Sequence, residues 1–102
     1  MDYWALGHVH RHGRLSESDP CVVYAGATQG LHVNESGPHG CYVVEVDDEG
    51  RVTPEFVARD VVRWDERELR IDDLSTEDEL LGALDEAVQR ARREAEGRCC
   101  VC

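Results

Sequence analysis

Short apolar blocks separated by polar stretches run through the first half of the chain, and each block has the length of a β-strand. The pattern predicts four strands, at Tyr3–Leu6, Cys21–Tyr24, Cys41–Val46 and Arg51–Val57. An acidic turn at 47–50 joins the last two as a hairpin. Pro54 lies inside the last strand, which favours an edge or bulge position. Residues 11–20 and 26–40 hold most of the turn-forming residues and predict loops.

The second half of the chain predicts an extended segment followed by one long helix. Residues 60–71 alternate apolar and charged positions. Apolar residues then recur at helical spacing, and this periodicity predicts a helix from Thr76 to Glu96. Ser75 is the expected N-cap, with Asp78 completing an approximate capping box, and Gly97 is the expected C-cap residue. We therefore predict a mixed α/β (α+β) fold with two parts, residues 1–59 and residues 60–102.

Charge and cysteine content narrow the class of protein. The 102 residues contain 22 acids and 11 Lys or Arg, a net charge of -11 that repels nucleic acid. An enzyme whose phosphate contacts pass through metal ions remains compatible with this charge. Neither a membrane span nor a secretory signal is evident, so a cytoplasmic location is expected. The cysteine cluster 99–102 is a poor zinc site, because such sites usually need two separated ligand pairs.

Two histidines carry the clearest chemistry in the sequence. Gly7-His8-Val9-His10 follows the first predicted strand. In a tight turn, for which Gly7 permits an unusual backbone, His8 and His10 could converge on one site. Imidazole suits Mn, Fe, Zn and Ni, and carboxylates from elsewhere would complete a two-metal centre. The alternative for so short a motif is an ordinary polar surface turn.

The surrounding residues resemble the calcineurin-like metallophosphoesterases, specifically their DNA-repair exonuclease branch of SbcD-like and YhaO-like proteins. The resemblance begins with residues 3–10 (YWALGHVH), which match the last motif of the family, Gly-His-x-His after a strand. It extends through most of residues 2–96, in the segments 22–32 (VVYAGATQGLH), 35–37 (ESG), 39–46 (HGCYVVEV), 51–57 (RVTPEFV) and 62–64 (VRW).

This resemblance implies a fold, a metal site and partners. Residues 1–59 would be the C-terminal part of the nuclease domain, a mostly antiparallel part of the metallophosphoesterase sandwich. Residues 60–102 would begin a capping domain with the amphipathic helix. His8 and His10 would each ligate one of two divalent ions, typically Mn, that activate water on a DNA phosphodiester. An SbcC-like SMC ATPase is the implied protein partner, and no membrane partner is implied.

The loop residues have weaker assignments. Gln29 and His32 lie in a loop near the site in this branch, where contact with substrate and a purely structural role are both open. His12 and His39 match no ligand position and are expected to be exposed or capping residues. Ala25 and Ala27 depart from the Pro and the Asn or Ser usual in the family, which could loosen the loop.

The upstream family motifs that supply bridging carboxylates, Asp-x-His, Gly-Asp-x-x-Asp and Gly-Asn-His-Asp, do not occur in the chain. We therefore expect an incomplete site that is inactive alone and needs a missing N-terminal half. Two alternatives remain. One is a small acidic β-rich binding or structural module that docks to a partner protein. The other is a small-molecule phosphodiesterase, which the Gln-Gly-Leu-His loop at 29–32 disfavours.

Overall fold

The computed structural model describes residues 2–101. Within this range the chain forms seven strands and one helix: β1 (Tyr3–Leu6), β2 (Gly13–Ser16), β3 (Cys21–Tyr24), β4 (Gly40–Val46), β5 (Val52–Ala58), β6 (Val62–Trp64), α1 (Glu77–Glu94) and β7 (Cys99–Val101). The four predicted strands and the helix are therefore present. The prediction of an α+β fold with mostly antiparallel strands is confirmed.

The first sheet has the strand order β1-β3-β2 and carries the histidine segment at one end. β1 runs parallel to β3, whereas β2 is antiparallel to β3 and has an irregularity between Arg14 and Ser16. The prediction that residues 11–20 form only a loop was wrong, because pairing with β3 holds β2 in a strand despite its weak apolar pattern. Cys21 and Val23 of β3 are buried and form the centre of this sheet.

The second sheet is the predicted hairpin of β4 and β5, paired from Gly40 and Ala58 to Val46 and Val52. The turn contains Gly50 with a φ of 77°, a value that glycine adopts at little cost. Gly40 has no room for a side chain, because a Cβ would lie 2.0 Å from the Val57 carbonyl oxygen. This sheet has two strands, so both are edges, in agreement with the edge position expected for Pro54.

The helix is shorter than predicted at both ends. Its N-cap is Thr76, not Ser75, and its capping box closes with Glu79, not Asp78. The longer glutamate side chain reaches back to accept the backbone N–H groups of both Ser75 and Thr76, at 2.7 and 3.1 Å. The helix ends at a C-cap, Ala95, rather than at Gly97, because Glu96 and Gly97 both have positive φ, at 54° and 82°.

The third sheet joins the middle of the chain to its end. β6 pairs in parallel with β7, so part of the cysteine cluster forms a strand that the sequence did not predict. Cys102 lies outside the described residues. Of the extended segment predicted at 60–71, only Val62–Trp64 is a strand.

A buried ion cluster fixes the third sheet to the rest of the chain. The Asp60 side chain is fully buried. Arg63 donates to both of its carboxylate oxygens, at 2.8 and 2.9 Å, and Arg98 lies 3.1 Å from one of them. Burial acts to raise the pKa of Asp60, but the two guanidinium groups outweigh burial and the pKa is lowered.

The chain as a whole is elongated and has little core. Its Cα radius of gyration is 18.4 Å and its extents are 61 × 25 × 24 Å, whereas a compact domain of about 100 residues has a radius of roughly 13 Å. The apolar helix face buries only Ala91 and Ala95, while Leu81 and Leu84 stay exposed. Among the residues described, no helix has both the length and the apolar character to cross a membrane.

Candidate functional site

The histidine motif forms a tight turn at the carboxyl end of β1. The Val9 N–H donates to the Gly7 carbonyl at 3.0 Å, and His8 between them has a φ of 74°. These are the features of the rare positive-φ γ-turn, which is strained for a residue with a side chain. The expectation that Gly7 supplies the unusual backbone was therefore wrong, since the positive φ falls on His8.

The neighbouring segment 25–27 holds this turn in place. The Ala25 N–H donates to the Leu6 carbonyl at 3.3 Å, and the Ala27 N–H donates to the His10 carbonyl at 2.9 Å. Gly26 between them has a φ of 79°, and a Cβ there would lie 2.8–2.9 Å from backbone atoms of His10 and His12. Only glycine meets both constraints, so Gly26 lets the two loops lie against each other.

The two alanines at which the chain departs from the family pattern are part of this contact. Ala25 donates a hydrogen bond that a proline in its place would lack. Ala27 also accepts from the Gly40 N–H at 3.2 Å, so it connects the histidine turn to the start of β4. Both residues therefore take part in holding the loop.

A carboxylate from the long loop between β3 and β4 (residues 25–39) forms a hydrogen bond with one of the two predicted metal ligands. Glu35 Oε1 forms a hydrogen bond with His10 Nδ1, while Glu35 Oε2 accepts from the Leu31 N–H at 2.8 Å. The Leu31 N–H and the His10 imidazole lower the pKa of Glu35, so this carboxyl group is ionised at neutral pH. In the sequence, Glu35 lies in the matching segment 35–37 and in a glycine-rich loop after the histidines, but no role was predicted for it.

The other candidate ligands differ in their surroundings. His8 is exposed. His10 is also exposed, but it lines a cleft of about 670 Å³ together with Glu35 and His39. His32 Nε2 lies 3.9 Å from Glu35 Oε1, beyond hydrogen-bond distance, with 59% of its side chain exposed. Glu35 thus lies near both His10 and His32, but of these two histidines only His10 lines the cleft, and His8 lies outside the lining as well.

Gln29 is occupied by backbone contacts. Its side-chain oxygen accepts the N–H groups of Val61 and Val62, at 2.9 and 3.2 Å. Its side-chain nitrogen donates to the carbonyls of Gly30 and Val62, both at 2.7 Å. These bonds connect the loop to β6, and Gln29 is not among the residues that line the cleft.

The remaining two histidines are packed into the structure rather than exposed, which corrects the expectation from sequence. His39 is 6% exposed, and its carbonyl accepts the N–H groups of Arg59 and Asp60. The ring of His12 stacks on Phe56 with centroids 3.6 Å apart and planes 9° from parallel. Burial lowers the pKa of His12, and the nearby His39 and Arg11 lower it further, so this ring is neutral at physiological pH.

These residues have the donor chemistry of part of a metal site. Two exposed imidazoles on one turn, one of them bonded to a carboxylate, are suitable ligands for a divalent transition metal. Within residues 2–101, however, no group of three or more His, Cys, Asp or Glu side chains is placed to hold a metal ion. The donor chemistry therefore fits a partial ligand set, and further ligands are needed to complete it.

Comparison with known proteins supports a relationship to the metallophosphoesterases, a family whose members use divalent metals. Over 99 residues, 97% of its length, the chain is 32% identical to the Bacillus subtilis (strain 168) protein named uncharacterized metallophosphoesterase YhaO. The match covers 24% of that protein, so the chain spans about a quarter of the relative's length. No protein-family model matches the chain, and no solved structure does.

Proposed function

We propose that this chain contributes the last metal-binding turn of a two-metal phosphodiesterase of the DNA-exonuclease type, with His8 and His10 as ligands. The observation that supports this most strongly is the strained turn that presents both exposed imidazoles at the carboxyl end of β1, beside an ionised carboxylate. Strained backbone of this kind concentrates at functional sites. In open sheets with parallel strands, ligands bind at the carboxyl ends of the strands.

The ions would supply Lewis-acid activation of the phosphate group and charge neutralisation. We propose Mn as the metal, with His8 and His10 on different ions. The chain's own part is to present two imidazoles from one turn, which segment 25–27 holds in place through backbone hydrogen bonds. Further carboxylate ligands would come from elsewhere in the complete enzyme. On this proposal the chain alone does not turn over a phosphodiester.

DNA is the proposed substrate, reached through the metal ions rather than through basic side chains. The net charge of -11 gives the chain no general attraction for phosphate. Electrostatic contact with the DNA backbone therefore belongs to other parts of the enzyme. The helix and the segment leading to it would begin the capping region. We propose that this region leads to the contacts with an SbcC-like SMC ATPase, the protein partner of the complete enzyme.

A titration of the isotopically labelled full chain with Mn²⁺, followed by amide NMR line broadening, tests the metal assignment. We expect the first broadening at residues 7–11 and at 25–27, which pack against them. Replacing both histidines, by His8→Ala and His10→Ala, should abolish this pattern. The double variant Asp47→Asn and Asp48→Asn is the matched control. It removes two negative charges from the exposed turn at 47–50 and should leave the broadening pattern unchanged.

Two results would contradict the proposal. One is broadening centred on the acidic turn at 47–50 with none at residues 7–11. The other is a pattern that survives the double histidine substitution. Separately, Mn²⁺-dependent hydrolysis of a model phosphodiester by the chain alone, at rates typical of an enzyme, would refute the claim that its site is incomplete.

A second candidate function is that of an acidic module that docks to a partner protein. The helix favours it, since Leu81 and Leu84 are 55% and 45% exposed on the apolar face. If docking were the main function, replacing both leucines with Gln would abolish partner binding, while replacing the two histidines would leave it unchanged.

A further inference from the structure

We propose that Glu35 is the positioning residue for His10: it holds the proton on Nδ1 and so leaves Nε2 as the metal-binding atom. Its consequence for metal binding rests on the proposed function. The Glu35–His10 hydrogen bond and the His10 tautomer belong to the metal-free chain and can be tested there.

The direction of the hydrogen bond follows from the chemistry of its two partners. The other oxygen of Glu35, Oε2, accepts the Leu31 N–H, so the side chain is already placed as a hydrogen-bond acceptor, and a carboxylate oxygen accepts from an N–H group. Since Glu35 Oε1 faces His10 Nδ1, the imidazole must be the donor and Nδ1 must carry the proton. In the neutral ring the lone pair then lies on Nε2, on the side of the ring away from Glu35.

Glu35 is the fixed member of the pair. Its side chain is 13% exposed, whereas that of His10 is 63% exposed. Its second oxygen accepts from the Leu31 N–H, and its own N–H donates to the His32 carbonyl at 2.9 Å. Backbone contacts therefore set the carboxylate in place, and the more exposed imidazole takes its orientation from it.

Backbone contacts bring the two members of this pair together from distant parts of the chain. His10 and Glu35 are 25 positions apart in the chain. They meet because the Ala27 N–H bonds to the His10 carbonyl and Gly26 allows the backbones to touch. Metal-binding histidines commonly donate their second N–H to a carboxylate, and removing such a partner lowers metal affinity by about 10–100-fold.

Long-range proton–nitrogen NMR of the imidazole nitrogens in the metal-free full chain measures the tautomer directly. At neutral pH we expect the fraction of His10 that is neutral to be the Nδ1–H tautomer. In Glu35→Ala, the Nε2–H form that free imidazole side chains prefer should replace it. Glu45→Ala, which removes an exposed carboxylate from β4, is the matched control and should leave the His10 tautomer as it was.

The unsubstituted chain already decides the matter, even if Glu35→Ala disturbs the loop. A His10 ring that carries its proton on Nε2 in that chain would overturn the inference. So would a tautomer unchanged by Glu35→Ala in a chain whose β4–β5 amide resonances show it to be folded.

A Mn²⁺ titration of the same variants separates this inference from the proposed function. Glu35→Ala should raise the Mn²⁺ concentration at half-maximal broadening by about tenfold or more, and Glu45→Ala should not. If the Glu35-dependent tautomer is found but no Mn²⁺ binds near residues 7–11, the positioning role stands and the metal function fails. If Mn²⁺ binds there with unchanged affinity in Glu35→Ala, the positioning role fails and the metal function stands.

Discussion

The buried carboxylate of Asp60 provides the sharpest stability test. Asp60→Asn keeps the shape of the side chain and removes its charge, which takes the paired carboxylate from Arg63 and leaves Arg98 with the exposed Glu96 as its ionic partner. Their side chains are 13% and 18% exposed, so water can solvate the two cations only in part. Breaking a buried ion pair on one side costs about 3–5 kcal/mol, and the partial exposure of the arginines places the expected loss near the lower value, ~3 kcal/mol.

Urea unfolding, followed by tryptophan fluorescence, measures this loss. Trp64 is a suitable reporter, because it lies in β6 and its indole N–H donates to the Gly30 carbonyl at 3.0 Å. Asp72→Asn is the matched control: Asp72 pairs with Arg70, but both side chains are largely exposed, at 70% and 90%. Such a surface pair contributes about 0–1 kcal/mol. Equal losses for Asp60→Asn and Asp72→Asn would refute the structural reasoning.

The same carboxylate sets the direction of a pH dependence. The pKa of Asp60 is lower in the folded chain than its ordinary value, so the folded state binds its proton less readily than the unfolded state. The stabilisation is complete above the unfolded pKa of about 4, and it is lost as the pH falls through the folded pKa. Asp60→Asn should remove this part of the acid sensitivity, which unfolding midpoints measured from pH 7 down to pH 3 would show.

Three further substitutions test local features of the fold by urea unfolding. Gly26→Ala should destabilise the chain by more than about 1 kcal/mol, because its positive φ and close backbone neighbours exclude a side chain, whereas Gly82→Ala in the open helix should stabilise it by about 0.5–1 kcal/mol. Thr76→Ala should cost about 1 kcal/mol and Ser75→Ala much less, since Thr76 is the N-cap. Gln29→Ala should cost about 1–3 kcal/mol, because it removes the side chain that bonds to the part-buried N–H and carbonyl groups of Val62 in β6.

Elements specified by local pattern were predictable from the sequence. The β4–β5 hairpin has strand-forming residues on both sides of an acidic turn that ends in Gly50. The helix has an apolar periodicity, acids in its first turn and arginines in its last. Even its start was misplaced by one residue, because Ser75 and Thr76 are both good N-caps and only the reach of Glu79 distinguishes them.

Elements that depend on distant partners were not predictable. β2 and β7 are four and three residues long, and each is a strand because it pairs with another part of the chain. The ion cluster joins Asp60 to Arg98, 38 positions later. Periodicity within a short window contains no information about such contacts.

The candidate site shows the same division. His8 and His10 were proposed as ligands from a four-residue motif, since both histidines lie on one turn. No role was predicted for Glu35, because its contact with His10 forms only when the loop between β3 and β4 folds back onto that turn. The packing of His12 and His39 was missed for a similar reason: their neighbours come from β4, β5 and the segment after β5.

The metal content of a chimera tests the central claim most directly. In it, the segment of the Bacillus subtilis YhaO protein that matches this chain is exchanged for the chain itself, and divalent metal per purified molecule is measured by mass spectrometry. We expect the chimera to retain bound divalent metal and to lose most of it when His8→Ala and His10→Ala are introduced. Metal retained at the same level after both substitutions, or absent from the unsubstituted chimera, would contradict the assignment of these two histidines as ligands.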